Sequence, residues 1–127
     1  MKMRQMIVGT YEFGYEKVQI VLREDNGAEV YFLPDGIDCP RIRIGADQPD
    51  WRSLVALLLH EAEEFSLIRA GARYHPSENL ARDHAAYIFI LNHTQLSQVC
   101  AQIAELLITC LPDLSKAWAK WKKETKK

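Results

Sequence analysis

The spacing of apolar residues changes once along this chain, and that change constrains the fold more than any other feature. Up to about residue 45 the pattern is that of strands; from residue 50 it is that of helices. Val18-Gln19-Ile20-Val21-Leu22 and Val30-Tyr31-Phe32-Leu33 are rich in β-branched and aromatic residues, and a further strand is expected over Gln5–Phe13. In Arg41-Ile42-Arg43-Ile44 charged and apolar residues alternate, which predicts a strand with one wet face. Asn26-Gly27 between two of these runs is a strong hairpin signal, because a type I′ turn needs positive φ at both central residues.

The switch falls at Asp47-Gln48-Pro49-Asp50. Asp50 is placed to cap a helix that runs to about Ala70 and stops at Gly71, since its carboxylate can accept free amide hydrogens of the first turn. Ser77 predicts the start of a second helix over 78–92, Thr94 that of a third over 95–111, and Leu111-Pro112-Asp113 a break before a short last helix. Trp118 and Trp121, three apart, share a face of that last helix and are expected to dock it on the body. Strands followed by helices imply an α+β fold: an N-terminal antiparallel sheet of three or four strands, then three or four packed helices. The 127 residues are read as one domain, with the sheet in 1–48, the helical part in 50–123 and a basic tail at 124–127.

Apolar residues make up 48% and charged residues 26%, which argues against disorder and for an ordinary packed core. The longest apolar run, Ala85–Leu91, is far shorter than the roughly 20 residues of a membrane helix, and the N-terminus lacks the apolar stretch of a secretory signal. Cys39, Cys100 and Cys110 form no CxxC pair, and an odd number without a signal fits a cytoplasmic protein whose thiols stay reduced. Cys100 and Cys110 are expected in the core. Residues 116–127 hold six lysines and one glutamate, whereas the rest of the chain is acidic. An acidic body without a second basic stripe argues against nucleic acid as partner.

One stretch carries chemistry: Leu57-Leu58-Leu59-His60-Glu61-Ala62-Glu63-Glu64-Phe65. At about 100° per residue, Leu54, Leu57, Leu58, Phe65 and Ile68 define a buried stripe, and Glu61 falls about 20° from its centre. His60 and Glu64 lie together on one shoulder, and Glu63 points to water. Burying a carboxylate costs several kcal/mol unless it finds a partner or takes a proton. An arginine such as Arg69, Arg73 or Arg82 would serve, and so would a metal ion. His60 and Glu64, four apart, stand one turn from each other, the spacing at which two side chains of one helix can hold one ion.

His60-Glu61-Ala62-Glu63-Glu64 resembles the active-site helix of zincin-type metallopeptidases, in which His-Glu-x-x-His supplies two zinc ligands and a glutamate base. Glu64 stands where the second histidine belongs. The resemblance implies His60 and Glu64 as ligands and Glu61 as the water-activating base. It also implies a third ligand from the next helix, where Asp83 and His84 stand, and it casts His93 as a transition-state donor. The cofactor implied is Zn²⁺, although one histidine among carboxylates also suits manganese, iron or magnesium. The upstream sheet fits the zincin layout, in which an edge strand holds the substrate above the helix.

Much of residues 50–121 is similar to small proteins encoded by phages and prophages. The residues that carry this are Trp51, His60-Glu61, Glu64-Phe65, Arg73-Tyr74, Pro76-Ser77, Asp83, Ala86-Tyr87, Asn92-His93-Thr94-Gln95 and Leu111-Pro112-Asp113-Leu114. Two functions are therefore expected in competition. One is a metal-dependent hydrolase-like protein acting on a peptide or a host protein. The other is a non-enzymatic binding or inhibitor protein acting on a host protein, in which His60, Glu61 and Glu64 form a structural polar cluster.

Overall fold

The computed structural model describes residues 3–32, 39–74 and 88–125. Four strands, β1 (Gln5–Phe13), β2 (Glu16–Arg23), β3 (Ala28–Tyr31) and β4 (Arg41–Gly45), form one sheet in the order β1-β2-β4-β3. Helix α1 (Trp51–Arg69) follows, then a two-stranded ladder of β5 (Arg73–Tyr74) and β6 (Ile88–Phe89), then α2 (His93–Thr125). The α+β reading holds, with two helices among the described residues where three or four were expected.

The sheet is mixed, not antiparallel. β1 pairs antiparallel with β2, and β3 with β4, but β2 and β4 run parallel. Gly14 and Tyr15 make the β1–β2 hairpin, with Gly14 at φ 66° as the first residue of a type II′ turn requires. Asn26-Gly27 makes no hairpin. Among the described glycines only Gly14 and Gly71 have positive φ, and the chain after β2 crosses the end of β4 to reach the far edge. Backbone bonds pin the crossing: Gly45 donates to Gly27 (2.6 Å), Ala46 to Arg23 (2.8 Å) and Asp47 to Asp25 (3.0 Å). Gly45 is required there, because a Cβ on it would run into the backbone of Asp25.

Alternation along the strands sorts the residues onto two faces. Val18, Ile20, Leu22, Ile42 and Ile44 are fully buried and meet both helices, α1 over β3 and β4, α2 over β1. Gln19, Arg23, Arg41 and Arg43 take the other face, where Arg41 Nε donates to Gln19 Oε1 at 2.9 Å and Arg43 lies over the Tyr31 ring.

α1 begins and ends as its sequence requires. Asp50 is extended at φ −154° and accepts from Ser53 N at 2.8 Å. Gly71, at φ 73°, closes a Schellman motif in which Gly71 N reaches Ile68 O and Ala72 N reaches Leu67 O. The expected second helix falls mostly outside the described residues, and its last part is instead the strand β6 with an irregular exit. Asn92, not Thr94, caps α2: Gln95 N donates to Asn92 Oδ1 (2.8 Å) while Asn92 N donates to Gln95 Oε1 (2.9 Å), a reciprocal capping box. The expected third and last helices are one 33-residue helix that runs through Pro112. Val99, Ile103, Leu106, Cys110, Leu114, Trp118 and Trp121 form one unbroken buried stripe along it.

The core lies between sheet and helices. Phe13 meets Phe65 edge to face at 5.1 Å, and Phe32 stacks on Phe65. Trp118 and Trp121 dock as expected: Trp118 Nε1 donates to Ala46 O at 2.9 Å, and the Arg4 guanidinium covers Trp121 at 3.8 Å. Cys110 is buried, which pushes its thiol pKa up to about 12; Cys100, one position off the stripe, is exposed, contrary to expectation. Among the described residues no helix is long and apolar enough to cross a membrane.

Candidate metal centre

The candidate centre lies in the middle of α1. Leu54, Leu58, Ala62 and Phe65 anchor that helix on the sheet, and their spacing carries Glu61 inward with them. Glu61 is only 7% exposed, whereas the His60 side chain is 65% exposed and that of Glu64 27%. Glu63 faces water. His60 Nε2 stands 3.6 Å from Glu64 Oε1, the i,i+4 geometry that the sequence implied. One ligand atom from each of His60, Glu61 and Glu64 lies within 4.8 Å of the other two. A buried acid therefore sits between an accessible imidazole and a half-buried carboxylate.

Burial pushes the Glu61 pKa up, and repulsion from Glu64 adds to it; His60 opposes the shift, and Glu29 on β3 reinforces it. An arginine partner would have reversed this. Arg69 does not supply one: its Nε donates to Glu16 Oε1 at 2.8 Å, and its guanidinium lies over Phe32. The side chain of Arg73, and the whole of Arg82, lie outside the described residues. Among the described residues Glu61 has no arginine partner and accepts no hydrogen bond.

Asp83 and His84, expected as further ligands, and His75 on the same connection lie outside the described residues. His93 is exposed at the first position of α2. Gln95 Nε2 bonds Ala70 O at 3.2 Å, so that end of α2 sits at the C-terminal end of α1. This is ten residues, or about 15 Å of helix, beyond His60. The structure brings His60, Glu61 and Glu64 together and leaves His93 apart from them.

Sequence reasoning missed Glu29. It belongs to the edge strand, 32 positions before Glu61, and its carboxylate is held by Arg23 and lies 3.8 Å from Arg43 Nη1. It shares the polar face of the sheet with Arg43 and acts on Glu61 only as the smaller of two repulsions; no local spacing signals it, because it follows from β4 inserting between β2 and β3. Comparison of the chain with protein-family models, with curated proteins and with solved structures gives no match.

Proposed function

We propose that α1 carries the centre of a divalent-metal-dependent, hydrolase-like protein of zincin type, with His60 and Glu64 as ligands and Glu61 as base. The observation that carries this reading is Glu61, a buried carboxylate beside His60 and Glu64 with no arginine to neutralise it among the described residues. A cation held by His60 and Glu64 would lie close enough to Glu61 to offset the cost of that arrangement without binding it. The donor set fits: a neutral imidazole and a carboxylate are both good ligands for Zn²⁺, and for manganese or iron as well.

Bound there, a divalent ion would supply Lewis acidity toward a carbonyl and toward water. The rest of the chemistry belongs to the chain. Glu61, whose proton affinity is raised by burial and by Glu64, is tuned to accept a proton from water and to return it to a leaving group. His60, exposed at the rim, offers its nitrogen to an ion reached from solvent. Asp83 or His84 completes the ligand set. The phage-like resemblance sets this activity in a bacterial cytoplasm, on a peptide or a host protein.

Elemental analysis of protein prepared without a histidine tag tests the reading. About one equivalent of zinc or manganese is expected. His60→Ala loses the metal, Asp83→Ala weakens it, and Glu61→Gln keeps it while abolishing hydrolysis. Protein that is empty and takes up neither added metal defeats the proposal, and leaves the three side chains as the polar cluster of a binding protein.

A further inference from the structure

Both helices pack on one face of the main sheet, and the opposite face is left to side chains of the strands themselves. Its centre is β4, the strand between β2 and β3. Arg41 and Arg43, two apart on β4, share this face with their Cα atoms about 7 Å from each other. Gln19 stands beside Arg41 on β2, while Tyr31 and Glu29 stand opposite Arg41 and Arg43 on β3.

The charges there do not balance. Arg23, Arg41 and Arg43 are met by two carboxylates, Asp25 and Glu29, and Arg23 takes both: its Nε lies 2.5 Å from Asp25 Oδ2, and its Nη1 donates to Glu29 Oε1. What remains for Arg43 is the same Glu29 oxygen at 3.8 Å, too far for a hydrogen bond. Among the described residues Arg41 has no carboxylate partner, and its Nε donates to the neutral Gln19 side chain at 2.9 Å. Burial and the charge of Arg43 both weaken its hold on its own proton. Arg43 makes no hydrogen bond among the described residues: its Nε is shut off from solvent without a partner, and its guanidinium rests on the Tyr31 ring at 4.3 Å. The terminal nitrogens of both arginines stay open to solvent.

Two adjacent guanidinium forks with unmet charge and unmet donors suit an oxyanion that accepts from both at once. A carboxylate brings one negative charge. A phosphate monoester brings about −1.5 to −2 near neutral pH, with three strong acceptor oxygens, and so matches the pair. We infer that the open face of the sheet binds a phosphate monoester between Arg41 and Arg43, with Gln19 and Tyr31 holding the two guanidiniums in place. The site lies on the far side of the sheet from α1 and does not depend on the proposed metal centre.

Titration of the full chain with inorganic phosphate at constant ionic strength, followed by the guanidinium Nε–H signals of Arg41 and Arg43, tests the inference, with chloride and acetate as comparison anions. Phosphate is expected to shift both signals saturably at concentrations where chloride and acetate leave them in place. Arg41→Gln weakens that binding about tenfold or more, the range of one lost hydrogen bond to a charged group. Arg41→Lys keeps the charge and the fold but loses the planar fork, and weakens binding as well. Arg52→Gln, at an exposed position of α1, leaves it unchanged. Equal responses to phosphate and chloride overturn the inference, and so does phosphate binding that Arg41→Lys leaves intact.

Discussion

Arg69 Nε donates to Glu16 Oε1 at 2.8 Å, which engages this arginine away from Glu61. Of the three arginines that the sequence offers as counter-ion to the buried glutamate, Arg69 is the one whose side chain is described, and it turns away along Phe65 and Phe32 toward the β1–β2 hairpin. The carboxylate is left with Glu64 and His60 as its charged neighbours, and Glu29 adds a smaller repulsion from the polar face of the sheet.

This arrangement predicts a pH dependence of known sign. Folding raises the Glu61 pKa, so the native state holds that proton more tightly than the unfolded chain. The contribution to stability is full below the ordinary glutamate range, near pH 4.3, and is lost as pH rises through the raised value. Metal-free Glu61→Gln is therefore expected to be more stable than the parent at pH 7, by about 1–3 kcal/mol, and to converge with it at acid pH. Urea denaturation in chelator at both pH values measures the difference. A variant less stable than the parent at pH 7 would mean that the ionised carboxylate has a cation partner after all.

The crossing of the β2–β3 connection over β4 predicts opposite outcomes at two glycines. Gly45→Ala drives a methyl group into the Asp25 backbone and is expected to cost about 1–3 kcal/mol. Gly27→Ala meets nothing within 4 Å and needs no positive φ, so it is expected to be neutral or to stabilise by about 0.4–1 kcal/mol. Thermal melts of the two variants suffice, and equal losses at both would contradict the crossing.

That same crossing marks where the sequence stops being legible. The four strands of the main sheet could be read from residue type and alternation, and the burial of Glu61 from a 100° helical wheel, because both depend on neighbours a few residues away; the short β5–β6 ladder could not, and β6 lies where a helix was expected. Strand order does not. Asn26-Gly27 carries the local chemistry of a hairpin, yet β4 wins the place beside β2, where Ile42 and Ile44 bury against Ile20 and Leu22. Pro112 misleads in the same way, since tertiary packing of Leu114, Trp118 and Trp121 outweighs a local breaker. The pairing of His60 with Glu64 was readable from four-residue spacing, whereas the weaker influence of Glu29 was not, because it depends on the order of strands in the completed sheet.

Tyr11 ties β1 to α2. Its hydroxyl donates to Asp113 Oδ2 at 2.8 Å, and the residue is 8% exposed. Burial raises its pKa, and the Asp113 hydrogen bond raises it further, so the native state keeps the phenol proton beyond the ordinary tyrosine range near pH 10. Stability is therefore expected to fall as pH rises past that range. Tyr11→Phe should cost about 1 kcal/mol at pH 7 and remove part of the alkaline loss. Denaturation at neutral and alkaline pH checks both, and an unchanged alkaline limb would point to another group.

Pro112 provides the last test, because it separates what holds α2 together from what would break it. Proline has no amide hydrogen, so the carbonyl of Ile108 loses its partner four residues on, and the ring crowds the preceding turn, at a cost of about 3 kcal/mol in a helix interior. Ile108 is 76% exposed, so that carbonyl lies on a wet face where water relieves part of the loss. The burial of Leu114, Trp118 and Trp121 on the far side, with Trp118 bonded to Ala46 O, holds the second half in line with the first. Pro112→Ala restores the missing bond and removes the clash while touching none of those anchors. The variant is expected to gain about 1–3 kcal/mol with an unchanged denaturant slope, and to keep the same helix content by circular dichroism. Lower stability would mean that a bend at Pro112 is needed to seat the two tryptophans, and that α2 is two helices joined by packing rather than one.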